Sequence, residues 1–209
     1  AGCHLLLDKP LAPTVGQGRV VVDAVEEAGV ASVVFFTTRF QPGPEAWIGE
    51  QARTGGWFTG RAQWLGAVFT TAGNPFAASP WRQEKGALWD VGPHALSVLL
   101  PVLGEPRRVT AAAYGPGDTV HLVLDHESGA SSSVTLSLTA PPAAAGATVE
   151  LRGESGVTVL PETTEGVVPA VTRAVDALLD AARTGVPHPC DAAFALRITR
   201  ILATAESLL

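Results

Sequence analysis

Methionine is absent from these 209 residues; lysine occurs only at positions 9 and 85, tyrosine only at 114, and cysteine only at 3 and 190. Each scarcity excludes something. Two cysteines so far apart make neither a disulfide framework nor a Cys-type metal spacing. The expectation is two unpaired, mostly buried thiols in a reducing, cytoplasmic setting. With no methionine even at position 1, and an apolar strand starting within a few residues, the chain reads as trimmed or as a fragment. Basic residues are few, 14 Lys+Arg against 20 Asp+Glu for a net charge of −6. Arg107-Arg108 is the densest basic pair, so no nucleic-acid surface is expected. No stretch reads as a membrane span or a signal peptide, so no membrane partner is expected either. There is no Ser nucleophile elbow, no repeat of fixed period and no Gly-x-Gly-x-x-Gly turn; Gly16-Gln17-Gly18 lacks the third glycine and lies inside a helical pattern.

What is present is apolar: 46% of residues are hydrophobic, enough to bury a sizeable core. Leu5 to Pro10 reads as a strand that delivers Lys9 directly before a proline, whose ring pushes the lysine towards an extended backbone. Thr14 and Gln17 fit a capping box, Val20 to Ala28 carries an apolar stripe, and Gly29 stops the helix. Ala31 to Phe36 is a continuous β-rich run, as in a buried parallel strand. Strand, helix, strand is a βαβ unit. A helix is expected around Glu45 to Arg53, a strand over Arg61 to Phe69, and a loop from Thr70 to Lys85. Beyond Arg108 the pattern alternates with period two, as in an antiparallel sheet with one buried face. Two amphipathic helices, about Pro169–Thr184 and Asp191–Leu208, close the chain as sheet-covering scaffold.

The stretch Gly86-Ala-Leu-Trp-Asp-Val-Gly-Pro-His94 carries the chemistry. It places Asp90 four residues before His94 at an expected helix start, with Pro93 in the first turn. Leu96, Leu99, Leu100 and Leu103 follow at helical spacing, and Gly104 with Pro106 ends the element. Asp90 either caps this helix, or orients the imidazole or shares a substrate hydroxyl with it. A divalent metal on Asp90 and His94 would need further ligands, such as Asp125 or His121, converging on it; no metal is assigned. In the preceding loop, Trp81 and Arg82 either face a polyol or sugar, or plug the core and pair with Glu84. His121, His126 and His188 read as structural.

Asp8-Lys9-Pro10 and the Gly86–His94 run together resemble the Glu-Lys-Pro and Gly-rich-Asp-x-x-x-His signatures of the glucose-fructose oxidoreductase and inositol dehydrogenase (Gfo/Idh/MocA) family. Arg39-Phe40, Trp81-Arg82 and Leu103-Gly104-Glu105-Pro106 add to the likeness. The first acid is shortened to Asp8, and Ala87 and Leu88 replace glycines. The resemblance implies an NAD- or NADP-dependent oxidoreductase acting on a secondary alcohol of a sugar, polyol or related compound. Lys9, Asp90 and His94 are its implied catalytic residues. Trp81 and Arg82 are implied to meet substrate, and Asp8, Lys9 and Pro10 to meet cofactor, which is otherwise bound by an upstream glycine turn. Residues 1–40 are then the last βαβ of a Rossmann-like dinucleotide-binding domain. Residues 41–209 form an α+β domain, a mostly antiparallel open sheet with helices on one face, that binds substrate and makes homo-oligomers through the sheet's other face. The rival reading is a non-catalytic assembly or regulatory module derived from such an enzyme.

Overall fold

The computed structural model of the chain describes residues 2–209. Strand β1 (Leu5–Asp8) pairs in parallel with β2 (Ser32–Phe35), joined by α1 (Val15–Ala28). The Thr14 hydroxyl oxygen accepts from the Gln17 amide at 3.2 Å, and its proton goes to the Gln17 side chain at 2.9 Å. Gly29 closes the helix in the left-handed conformation (φ 60°), with Val30 N–H donating to Val25 O at 3.2 Å, which satisfies carbonyls the helix leaves unpaired.

A 3-10 turn (Thr37–Phe40) leads into α2 (Pro42–Thr54), which begins with proline in its first turn. Strand β3 spans Trp57–Leu65, four residues earlier than expected. Gly55 and Gly56, both at positive φ, stop α2 and pass straight into the strand. Residues 66–69 are instead pinned as a turn, Gly66 N–H donating to Ser137 O and Phe69 N–H to Leu138 O. The expected loop over 70–85 is likewise shorter. Helix α3 (Pro80–Asp90) starts after Ser79, whose hydroxyl accepts from the Arg82 amide. Ser-Pro here is an N-cap followed by a first-turn proline, not loop punctuation. Helix α4 (Gly92–Leu103) follows after one residue. Counted as one run, residues 80–103 have the length and apolarity of a membrane span, contrary to the expectation, but the run is broken at Gly86 and Val91 and is mostly buried.

Strands β4 (Pro106–Tyr114), β5 (Val120–His126), β6 (Ser131–Ser137), β7 (Gly146–Gly153) and β8 (Gly156–Val159) complete a six-stranded sheet ordered β4-β5-β6-β3-β7-β8. Every pairing in it is antiparallel except β3 with β6. Leu122, Leu124, Val134, Leu136, Val149 and Leu151 face inward and are buried. They meet Leu96, Leu99 and Leu103 of α4, each fully buried leucine contributing ~1.5–3 kcal/mol. On the opposite face Arg61, Val123, Ser133 and Val157 are exposed, and among the described residues no helix covers them.

The C-terminal helices differ in part from the expectation. Helix α5 (Val167–Thr184) packs on β1, β2 and the 3-10 turn, whereas α6 (Ala192–Glu206) lies against α1, β2, α4 and β4. The cysteines differ too. Cys190 is buried, and burial pushes its thiol up to about 12 against the opposing pull of Arg39; Cys3 is exposed. His126 is a satisfied core residue, with Nδ1 2.7 Å from Gly104 O and Nε2 2.8 Å from Ser132 Oγ.

Gly60 sets how closely α4 approaches the sheet. A Cβ there would lie 2.8 Å from Leu103 Cδ1 and 3.1 Å from Leu99 Cδ2. Gly60→Val is therefore expected to cost ~1–3 kcal/mol through overpacking, lowering the urea midpoint with little change in slope. An unchanged midpoint would show that α4 is not seated on Gly60.

Candidate active site

Lys9 leaves the C-terminal end of β1, and its peptide bond to Pro10 is cis. The side chain reaches across to the last residue of α3. Lys9 Nζ donates to Asp90 Oδ1 at 2.6 Å and also to the Asp90 backbone carbonyl. Arg82, in the first turn of α3, donates from Nε to the other carboxylate oxygen, Oδ2, at 2.8 Å. Its partner is thus Asp90 and not Glu84. The Arg82 guanidinium also lies over the Phe76 ring, 4.9 Å from its centroid. Both oxygens of Asp90 are accordingly committed to cations. Only 6% of its side chain is exposed, against 10% for Lys9 and 25% for Arg82.

This geometry answers the two local readings of Asp90. It does not cap α4, which has no side-chain cap, because Asp90 ends the preceding helix and points at Lys9 and Arg82. Nor does it hydrogen-bond His94. The His94 ring sits in the first turn of α4 and stacks on Trp64 of β3, centroids 5.4 Å apart and planes 12° from parallel. Its Nδ1 is enclosed and has no hydrogen-bond partner among the described residues, although part of the residue remains accessible.

The two titratable groups are driven apart. Burial works to raise the Asp90 carboxyl, but Lys9 and Arg82 together outweigh it and hold the group below its usual value. Burial lowers His94 to about 3, the Lys9 charge adds to that and Asp90 opposes it. The site therefore holds a fixed carboxylate and a neutral imidazole at ordinary pH.

The remaining sequence candidates fall around this cluster. Trp81 packs, half-buried, against the hydrophobic core. Asp8 is exposed and accepts from the Lys9 amide at 2.9 Å. Pro10 is partly buried. Among the described residues no three His, Cys, Asp or Glu side chains converge as a metal set. A cavity of about 390 Å³ lies elsewhere: it opens at the start of β2 among Val25, Glu26, Ala182, Val186 and Asp191, and none of the site residues lines it. Sequence reasoning missed Trp64 and Phe76. Trp64 lay inside the expected strand on the same side as Ala62; the signal the sequence lacks is that this side meets the first turn of α4. Phe76 follows an Asn74 turn in which Asn74 Oδ1 accepts from the Phe76 amide at 2.9 Å.

An open sheet with helices on one face, joined to a parallel strand pair that ends in a lysine–carboxylate contact, defines a class also seen among known proteins. Residues 58–159 match the GFO/IDH/MocA C-terminal domain family. The chain is 33% identical over 146 residues to the D-apiose dehydrogenase of Paraburkholderia graminis, covering 66% of this chain and 38% of that protein. It is 31% identical over 154 residues to D-xylose 1-dehydrogenase (NADP(+)) 2 of Haloferax volcanii, covering 67% of this chain and 44% of that one. The chain thus spans less than half the length of these curated relatives. In fold it is similar to an NAD binding oxidoreductase from Klebsiella pneumoniae (TM-score 0.82, 20% identity, 99% of this chain and 71% of that one). It is also similar to a levoglucosan dehydrogenase solved with NADH and levoglucosan (TM-score 0.77, 18% identity, 100% and 73%). Residues 58–159 thus belong to the GFO/IDH/MocA C-terminal domain family.

Proton linkage gives a test of the site's electrostatics. In the unfolded chain His94 protonates near its ordinary 6.5, while in the folded chain it does so only at about 3. The unfolded state binds the extra proton between those values, so stability falls as pH drops through that window, by up to ~1.4 kcal/mol per pH unit for one group. Asp90 acts in the same direction but lower: its contribution is complete above about 3.8 and is lost as pH falls through its depressed folded value. His126 and His188 are also lowered by burial, so His94 supplies part of the slope. Urea unfolding at pH 7.5 and pH 5 should show a smaller stability loss for His94→Gln than for the unmodified chain. Equal losses would mean that His94 is not held neutral.

Proposed function

We propose that this chain carries the proton-transfer half of an NAD(P)-dependent dehydrogenase acting on a secondary alcohol of a sugar or polyol. The observation that supports it most is the position of the Lys9–Asp90 contact beside a neutral His94. Lys9 follows the C-terminal end of a parallel strand, the end at which open α/β sheets meet their ligands. Its ammonium has three N–H donors; two are used on Asp90 Oδ1 and O, leaving one for a substrate oxygen. That donor stabilises negative charge developing on the oxygen as its proton departs. His94, neutral, is in the form that accepts the proton in alcohol oxidation and returns it in carbonyl reduction. Asp90 is an anchor: it positions Lys9 and keeps the cation from competing for the imidazole. The relatives named for D-apiose, D-xylose and levoglucosan support the sugar class.

A nicotinamide cofactor, when bound, supplies the hydride chemistry. The residues here fit its nicotinamide end, since Asp8, Lys9 and Pro10 lie at the strand terminus beside His94. They contain no glycine turn to hold a pyrophosphate. Residues 1–209 alone are therefore expected to show no calorimetric binding of NAD or NADP at micromolar concentration, whereas the full product of the gene should turn over one of them with an aldose or polyol. Lys9→Met and His94→Gln should each lower kcat/KM at least ~100-fold. Undiminished turnover in both variants would refute the assignment, and a full gene product that neither binds nor reduces either cofactor would favour the non-catalytic module.

We also infer that the helix-free face of the six-stranded sheet is a contact between copies. Val123, Val157 and Val159 are exposed on it among serines, threonines and balanced charges, and such a face suits a two-fold, self-complementary contact. Light scattering should report a dimer or larger, and Val123→Lys combined with Val157→Lys should shift it to monomer. A monomer for the unmodified protein at high concentration would rule the contact out.

A further inference from the structure

A proton-transferring imidazole is ordinarily held by a hydrogen bond from its second nitrogen to a carboxylate or carbonyl, which fixes ring angle and tautomer together. His94 has no such bond, for its Nδ1 is enclosed and unpartnered. The carboxylate four residues earlier is spent on Lys9 and Arg82. Main-chain contacts hold the helix turn firmly: Ser97 Oγ donates to His94 O at 2.8 Å, and Ser97 O accepts from buried Arg39 Nη1 at 3.0 Å. Those bonds fix the backbone and leave the ring's own torsions free.

What the ring does have is a flat surface. The inward side chains of β3 are graded along α4: nothing at Gly60, a methyl at Ala62, an indole at Trp64. At the Gly60 end the helix comes so close that Leu99 and Leu103 fill the place of a side chain. At the His94 end Trp64 fills the space and lies parallel to the imidazole at 5.4 Å. We propose that Trp64 is the positioning residue for His94, setting the plane of the imidazole by stacking where other sites use a hydrogen-bonded partner. The inference rests on His94 being the proton-transfer group. With Nδ1 enclosed and the ring plane fixed, Nε2 is the nitrogen left for a substrate hydroxyl.

Two arms separate this inference from the functional reading beneath it. The first needs no turnover. The His94 ring protons of residues 1–209, identified by their loss in His94→Gln, should resonate upfield of those of exposed His121, as stacking on an indole requires. Long-range nitrogen–proton spectra should show one neutral tautomer. Trp64→Phe should keep both features, and Trp64→Leu should lose the upfield shift and mix the tautomers. The second arm uses the full gene product: Trp64→Leu should lower kcat by ~10- to 100-fold, as misplacement of a catalytic group does, with KM within about threefold, and Trp64→Phe should restore most of it. Unshifted His94 protons in the unmodified chain would overturn the inference even if Trp64→Leu failed to fold. So would a folded Trp64→Leu with ring signals, tautomer and kcat unchanged. An absence of turnover in every variant would count against the dehydrogenase reading alone, with the ring signals still deciding the role of Trp64.

Discussion

The carboxylate of Asp90 is the contact on which the relation between the two sheets depends. It meets a lysine 81 positions away in sequence and an arginine eight positions away, one on each oxygen. A carboxylate this buried is costly unless paired, and removing one partner from such a pair typically costs ~3–5 kcal/mol. The second cation changes the balance, because Arg82 keeps the anion compensated while Lys9 keeps one donor for another oxygen. The strand end that carries Lys9 is thereby tied to the junction of α3 and α4, and the residue that follows β1 is placed beside the first turn of the helix bearing His94.

The tie works because the other end of the small sheet is also fixed. The chain returns from α5 to lay Cys190 against β2, where its carbonyl accepts from Val34 N–H at 2.7 Å. Ser32 Oγ then accepts from the Ala192 amide at 3.1 Å as α6 begins. Helix α6 packs on α1 on one side and on α4 and β4 on another, so one apolar helix is shared between the parallel pair and the six-stranded sheet. Two strands alone bury too little to be stable; here they take their core from helices that arrive more than 130 residues later.

Much of this was legible in the sequence where local physics decides it. The capped helix after Thr14, the alternation from Val120 to Leu138, the stop at Gly104 and the leucine face of α4 all follow from side-chain spacing and turn residues. The run from Gly86 to His94 was also readable as leading into a helix start, with Pro93 in its first turn. What failed were positions where a punctuating residue has two meanings. Ser79-Pro80 serves equally as loop or as helix start, and Gly55-Gly56 as loop or as a direct hand-over from helix to strand. The partners of Asp90 were unreadable for a different reason: whether a carboxylate caps, orients a histidine or pairs with a cation depends on what the fold brings from far away. Trp64 was inside the expected strand, but its significance depends on what the fold sets against that side of β3, the His94 ring.

The electrostatic division of labour follows from these contacts. Lys9 and Arg82 contribute two positive charges, Asp90 one negative, and His94 none while it stays neutral, so the cluster carries a net positive charge of one at ordinary pH. A group pair whose environments drive their titrations apart marks separate acid–base roles. Asp90, held ionised by two cations, exchanges no proton over the physiological range; it is electrostatic scaffold. His94, deprived of charge by burial and by the neighbouring ammonium, has little affinity for a proton until a negative oxygen approaches. On the proposed dehydrogenase reading, an alkoxide forming beside Lys9 would supply that negative charge, cancelling the ammonium's effect on the ring and raising its basicity as the proton moves. On that reading the same ammonium that suppresses protonation in the resting site would, once compensated, be the reason an oxyanion and an imidazolium can exist side by side.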